Sequence, residues 1–325
     1  MLNPEEKFII DLLFGEKIID KKRFVSINYE KLVKFASAHL ILPTIYFKLK
    51  SKNYLNYVPK DFLEFISEIY KLNRERNLIL NDEILFISKI LKSNRIKHIF
   101  LKGSSYIKNN IFDDIGERMI GDIDFLVSEN DIHLTAKVLE KNNYSTRIKY
   151  KYWKTSHIPK YVNPKKVFAI EPHIEVLSYP KRKVLDAKEI MNCNEPYNRE
   201  VLQDISILNY QINDNGHLKA SYSYRTIYDV FIISNNCKNF YKNNYIKRFY
   251  IITNYLGISS FNIKEGWGDK LFKLRFILKR KYKTLFLIDS LICEKLIFFR
   301  KIPKQLIEFI INYRYRKGVI KKLFK

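Results

Sequence analysis

Residues that break or loosen structure are scarce in this chain: there are nine glycines and nine prolines in 325 positions. That scarcity excludes collagen-like and low-complexity architectures and argues against long disordered linkers. Cysteine is rarer still. Cys193, Cys237 and Cys293 are odd in number, scattered and without metal-ligand spacing, so no disulfide framework is expected and a reducing, cytoplasmic setting fits. Acid is under-represented, with 34 Asp and Glu against 59 Lys and Arg, for a net charge of +25. Long apolar runs are missing too. The most apolar stretch, Leu285–Phe299, is interrupted by Asp289, Glu294 and Lys295 and is shorter than the ~20 residues a membrane span needs. The start, Met1-Leu2-Asn3-Pro4-Glu5-Glu6, is acidic where a secretory leader would be basic, so neither leader nor spanning helix is expected.

What is present is a 46% apolar fraction, ample for a core. Residues 4–95 read mainly as helix. Leu32, Phe35, Ala36, His39 and Leu40 follow helical spacing, with His39 read as a packed residue. Pro59-Lys60-Asp61 opens a long periodic segment to about Ser93, whose stripe runs through Phe62, Ile66, Ile69, Leu72, Leu80, Ile84 and Ile87. A core domain then begins with a strand near Ile96–Leu101 and a helix from about Ser104 to Asn110. It continues with a strand over Asp122–Val127 and a helix over about Asn130–Asn142, capped by Ser128 or Asn130. Strands near Tyr144–Tyr150 and Val167–Leu177 would complete a small mixed sheet, and beyond Pro180 the pattern returns to helix. The fold class read from this order is α+β, with a helical region at 1–95, an α/β core at 96–180 and a helical, basic region at 181–325.

The chemistry concentrates in two short motifs. Leu101-Lys102-Gly103-Ser104-Ser105 closes an apolar strand and opens a helix, a junction whose free N–H groups and helix dipole favour an anion. Gly121-Asp122-Ile123-Asp124-Phe125-Leu126-Val127 opens a strand with two carboxylates on one face, roughly 7 Å apart along the chain. Charge at the head of an apolar strand is costly without a partner, and two such carboxylates can share a pair of Mg²⁺ ions. A third acidic ligand is expected from a neighbouring strand. Val167–Leu177 alternates, with Glu171, His173 and Glu175 on one face and Ile170, Ile174 and Val176 on the other. Glu171 is favoured as that ligand, with His173 orienting it or touching substrate on the acceptor side, and Glu175 is the alternative. Pro172 removes a ladder donor and marks an edge strand or a bulge. Arg118 could neutralise a phosphate oxygen or form a structural salt bridge, and Lys102 carries the same two readings. Asp113-Asp114 reads as loop chemistry.

Taken as a set, these residues resemble the nucleotidyltransferases of the DNA polymerase β superfamily. More narrowly, they are similar to a bacterial family of uncharacterised minimal nucleotidyltransferases. The likeness rests on Leu101-Lys102-Gly103, Arg118, Gly121-Asp122-Ile123-Asp124 and Glu171-Pro172-His173. Ala36-Ser37-Ala38-His39 and the segment from Arg225 to Asp229 add further landmarks, so that it covers most of residues 1–235. It implies a nucleotidyltransferase that moves an NMP from an NTP to an acceptor hydroxyl and releases pyrophosphate. Asp122, Asp124 and Glu171 would hold two Mg²⁺ ions, and Gly103 with Ser104 would cradle the β- and γ-phosphates of an NTP, ATP by default. The alternative is a non-catalytic scaffold of the same shape that binds RNA or a partner protein, as in a toxin–antitoxin pair.

The basic charge needs a partner or an excuse. A Lys-, Asn- and Ile-rich composition can come from biased base usage, so distribution says more than the total. Residues 266–325 hold 17 Lys and Arg against four acids, interleaved with aromatics, and Lys279-Arg280-Lys281 and Arg314-Tyr315-Arg316-Lys317 are the densest clusters. Cations between aromatic rings suit phosphate contact with base stacking, so RNA is a candidate partner of this region, beside the readings of a solvated basic helix face and of a basic helix lying on an anionic membrane.

Overall fold

Side-chain caps and prolines mark out the N-terminal helices in the computed structural model, which describes residues 2–146, 157–178, 181–192, 199–233, 243–311 and 316. Helices α1 (Pro4–Phe14), α2 (Lys21–Val25) and α3 (Tyr29–Ala38) each start on a side chain that accepts a backbone N–H, from Asn3, Asp20 and Asn28 respectively. Each such cap is worth about 0.5–2 kcal/mol. Helix α4 (Leu42–Ser51) carries Pro43 in its first turn, and α5 (Lys60–Ser93) starts directly after Pro59. His39 closes α3 and is packed among Phe35, Tyr222 and Tyr224, as its spacing suggested. The stripe of α5 departs from expectation. Its buried residues run Phe62, Ile66, Tyr70, Asn73, Asn77, Leu80, Glu83, Ile84, Ile87, Ser88 and Leu91, whereas Leu72 is 59% exposed. Two asparagines take the place of apolar residues in mid-stripe, for a reason that lies at the site.

Strand β1 (His98–Phe100) leads into α6 (Lys102–Lys108), and β2 (Ile123–Val127) is followed by α7 (Ile132–Lys141) and β3 (Ile170–His173). Ser128 sits three residues ahead of Asp131 and accepts its N–H, so it shapes the turn before α7 without capping the helix. The sheet order is β1-β2-β3, with β1 antiparallel and β2 parallel to their next neighbours. Central β2 is buried at all five positions. Ile123, Phe125 and Val127 enter a core with Leu80, Ile84, Ile87 and Leu91 of α5 and Val138 and Leu139 of α7. Strand alternation therefore turns Asp124 to the other face. Phe100 and Phe125 meet edge-on, their centroids 6.1 Å apart, a pairing worth about 0.5–1.5 kcal/mol beyond area burial.

Strand β3 is shorter than Val167–Leu177 and forms the edge of the sheet. Its outer side is met by single bridges from Tyr161 to Ile170 and from His157 to His173, and Ile158 N–H donates to the Pro172 carbonyl. The missing Pro172 donor thus faces the irregular segment and costs the parallel ladder nothing. Ser145 makes one bridge to Val162 where a strand over 144–150 was expected; residues 147–150 lie outside the described set, as do Cys193, Cys237, Arg314, Tyr315 and Lys317.

Helices α8 (Ala187–Asn192), α9 (Arg199–Leu208), α10 (Gly216–Lys219), α11 (Tyr224–Ile233) and α12 (Asn244–Tyr255) follow, and α9 runs into a π-helical turn at Asn209–Asn213. The architecture is α+β, a small mixed sheet with helical flanks. Residues 1–217 with 222–264 form one compact unit, and 218–221 with 265–325 form a second. In the second unit, α13 (Trp267–Lys281) and α14 (Lys283–Ile311) are clamped together by Asp289, which accepts from Arg275 and Lys279 at 2.5 Å each. No single helix among the described residues is long and apolar enough to cross a membrane.

Candidate active site

The β1–α6 junction is built for close approach to β2. Leu101 N–H donates to the Asp124 carbonyl at 2.9 Å, which carries the sheet one residue past the strand. Lys102 then adopts a φ of 51°, in the left-handed region that non-glycine residues rarely occupy. Such strain of about 1–3 kcal/mol persists only where surroundings over-determine it. Here the Lys102 ammonium is held 2.9 Å from Asp124 Oδ1. A Cβ on Gly103 would lie 2.9 Å from two carbons of Ile120, so only glycine fits beneath that loop. The Ser104 hydroxyl is fully buried, accepts from Asp124 N–H at 3.2 Å and donates to the Asp122 carbonyl at 3.3 Å. It ties the turn to the mouth of β2, leaving Gly103 and Lys102 to line the cleft.

The carboxylates meet because of strand register. Asp124 and Glu171 are direct partners in the parallel β2–β3 pair, and His173 lies two residues on, on the same face. His173 Nε2 stands 2.8 Å from Asp124 Oδ1 and 3.5 Å from Glu171 Oε2. Asp122 joins through Lys160, whose ammonium is 2.6 Å from Asp122 Oδ2 and 3.5 Å from Glu171 Oε1. Burial alone would push the Asp124 carboxyl up, but the His173 hydrogen bond and the Lys102 charge outweigh it and hold it below the usual carboxylate range. Burial would likewise raise Glu171, and its bond with His173 brings it down on balance. The imidazole responds in the opposite sense. Burial would lower His173, yet its bonds to Asp124 and Glu171 raise it.

The donor set suits a divalent cation. Ligand atoms of Asp124, Glu171 and His173 all lie within 4.8 Å of one another, and all three residues are buried. Asp122 adds a more exposed oxygen at the rim, with its side chain 29% accessible. His173 Nδ1 is buried and unpartnered, so this polar cluster is not closed upon itself. Three carboxylates gathered by Lys102, Lys160 and His173 offer the negative charge and hard oxygens that Mg²⁺ or Mn²⁺ takes. Glu175 lies outside this group; β3 ends at His173, and Glu175 Oε1 faces Arg182 at 3.8 Å.

The other side of the cleft is held by α5. Asn77 Nδ2 donates to the carbonyls of Ile115 and Arg118 at 2.7 and 2.8 Å, and Asn73 Nδ2 to those of Gly116 and Arg118 at 2.7 and 3.2 Å. Arg76, the residue before Asn77 and at the edge of the buried face, reaches the Ile120 and Gly121 carbonyls. These polar residues in the apolar stripe hold the 115–121 loop that presents Arg118 and leads into Asp122. Asp113-Asp114 belongs to the same loop as local structure, with Asp114 accepting from Gly116 N–H at 2.6 Å. Arg118 is committed. Its Nε and Nη2 donate to the two oxygens of Asp229 at 2.8 and 2.7 Å, and Nη1 donates to the Met119 carbonyl at 2.6 Å. The lining is completed by Tyr106, Ser206, Asn209, Asp214, Arg225 and Thr226. Sequence reasoning did not single out Lys160 and named Arg225 and Asp229 only as the ends of a landmark segment. Asn73 and Asn77 carried a signal that went unused, two amides one helical turn apart in an apolar stripe.

No curated protein and no solved structure matches the chain. A family model described as uncharacterised nucleotidyltransferase matches residues 26–238, a span that takes in the whole cleft and the Asp124, Glu171 and His173 cluster. The chain belongs to that uncharacterised nucleotidyltransferase family.

Proposed function

We propose that the cleft transfers a nucleoside monophosphate from an NTP to an acceptor hydroxyl. The observation that carries this reading is the register pairing of Asp124 with Glu171, with Asp122 beside them, at a cleft that Lys102, Arg118 and Arg225 also line. Asp122, Asp124 and Glu171 would hold Mg²⁺, as two ions, with His173 completing or orienting the set. When bound, such ions neutralise charge that builds on the phosphoryl oxygens. Gly103 admits the polyphosphate chain close to the backbone, and Lys102 offers its ammonium once Asp124 is otherwise engaged. The acceptor oxygen forms a bond to the α-phosphorus, the α–β bridging bond breaks, and pyrophosphate leaves. Glu171, the more accessible of the two paired carboxylates, takes the hydroxyl proton. Catalysis rests on positioning and on electrostatics fixed before the reaction begins.

The test is pyrophosphate release from NTPs in the presence of Mg²⁺ and a fractionated cell extract as acceptor source. Asp124→Asn, which keeps the shape and removes the charge, is expected to cut release on the order of 10²- to 10³-fold. Undiminished release by Asp124→Asn would remove the carboxylate cluster from the chemistry.

A further inference from the structure

Arg225 opens α11 and lines the cleft with Lys102, Arg118 and Thr226. The carboxylate nearest in sequence on its own helix, Asp229, is already spent on a two-pronged bond to Arg118. Among the described residues Arg225 makes no hydrogen bond and no ion pair. It is nonetheless largely buried, and burial together with the neighbouring Arg118 charge pushes its guanidinium below the ordinary value, with only partial relief from Asp229 and Asp214. Two guanidiniums therefore stand in one desolvated space where Asp229 is bonded to Arg118, and Asp229 and Asp214 act on Arg225 only through space. An arginine left this way is costly unless something else supplies the anion. The planar fork of guanidinium matches oxygens on tetrahedral phosphorus, and a polyphosphate delivers several of them at once.

We infer that Arg225 binds the β- and γ-phosphates of the nucleoside triphosphate from the α11 side of the cleft. The inference rests on the nucleotidyl-transfer reading and assigns within it the residue that discriminates triphosphate from monophosphate. Arg118, which the sequence also offered for that task, has its donors engaged with Asp229 and Met119 and acts as the strut that holds the site open. Arg225 has its fork available. On this assignment, the repulsion between Arg118 and Arg225 in the free protein is relieved when the anion arrives, and the binding energy is directed at the leaving group.

The experiment uses the intact chain with Mg²⁺ and inorganic tripolyphosphate, a probe that needs no knowledge of the base, alongside ATP and AMP, with affinities read by calorimetry. The wild type should bind tripolyphosphate and ATP. Arg225→Ala should weaken both on the order of 10- to 100-fold, the span expected for losing a charged hydrogen-bonding partner, while AMP affinity stays unchanged. Arg225→Lys should recover part of the loss. Unliganded Arg225→Ala should melt no lower than the wild type, because the change removes a buried charge repelled by its neighbour. Wild-type affinity for tripolyphosphate in Arg225→Ala would overturn the assignment and leave nucleotidyl transfer standing. A wild type that binds neither tripolyphosphate nor any NTP would overturn both. Loss of binding together with a lowered melting temperature and no rescue by lysine would assign Arg225 a structural role and overturn the inference.

Discussion

Glu117 shows how burial and partnership compete in this chain. It is 1% exposed, accepts from Tyr228 Oη at 2.7 Å and from Asp114 N–H at 3.2 Å, and yet its carboxyl is raised above the ordinary value because desolvation exceeds those bonds. A carboxyl whose pKa is raised on folding contributes stability that is complete below its unfolded value near 4.5 and is lost as pH climbs through the folded value. Glu117→Gln keeps an acceptor for Tyr228 and removes that loss. The variant should therefore gain on the wild type as pH rises above the unfolded value in urea-midpoint measurements, with the two converging below pH 4.5. Parallel profiles across that range would show that Glu117 does not carry this linkage. The carboxylates of the candidate site go the other way: Asp124 and Glu171 are depressed, because their bonds to His173 and nearby positive charge outweigh burial, whereas the Lys48 charge near Glu117 does not.

Secondary-structure elements decide which distant residues meet. The Asp122–Asp124 pair and the Glu171–His173 pair were legible in the sequence, since each rests on a local period of two inside a strand. Their pairing with each other was also legible, because a third acidic residue was expected from a neighbouring strand and Glu171 of β3 lies in register with Asp124. The Arg118–Asp229 bond was not legible. The partners are 111 residues apart, and nothing local in the 115–121 loop or in α11 points from one to the other. The misassigned Leu72 has a physical cause as well. Asn73 and Asn77 occupy the buried face of α5 because the loop carbonyls need donors there, and a purely apolar stripe cannot supply them. The bond between the 115–121 loop and α11 should matter in proportion to its burial, its side chains being 11% and 4% accessible. Arg118→Ala leaves Asp229 buried without its partner and should cost about 3–5 kcal/mol in denaturant unfolding. The paired Arg118→Met/Asp229→Leu change should return much of that loss while still emptying the site of its strut. A cost below about 1 kcal/mol for the single variant would mean that the pair is not the tie between loop and helix.

At the scale of the whole molecule, charge is unevenly used. In the second unit Lys279 is tied to Asp289 and to the Lys219 carbonyl, so the dense Lys279-Arg280-Lys281 cluster is in part a structural clamp. Lys281 and Lys283 remain exposed at the turn between α13 and α14, beside Tyr282, which is itself 44% exposed. These exposed cations, with the Lys281 ammonium 5.2 Å over the centre of the Tyr282 ring, are the feature on which the expectation of RNA binding rests at this point of the chain. Lys281→Glu/Lys283→Glu should lower retention on RNA roughly equally across sequences and shallow its salt dependence by about two charges' worth. Binding of Mg²⁺-ATP should not change; unaltered RNA retention would make this turn a solvated surface only. The central claim concerns the first unit and its chemistry. The most direct measurement is to incubate the chain with Mg²⁺, cell extract and an NTP labelled either at the α- or at the γ-phosphorus, and to follow both labels. Nucleotidyl transfer predicts α-label joined to an acceptor and γ-label recovered as pyrophosphate, both lost in Asp124→Asn. Label from the γ-position on the acceptor, or release as inorganic phosphate alone, would contradict the account.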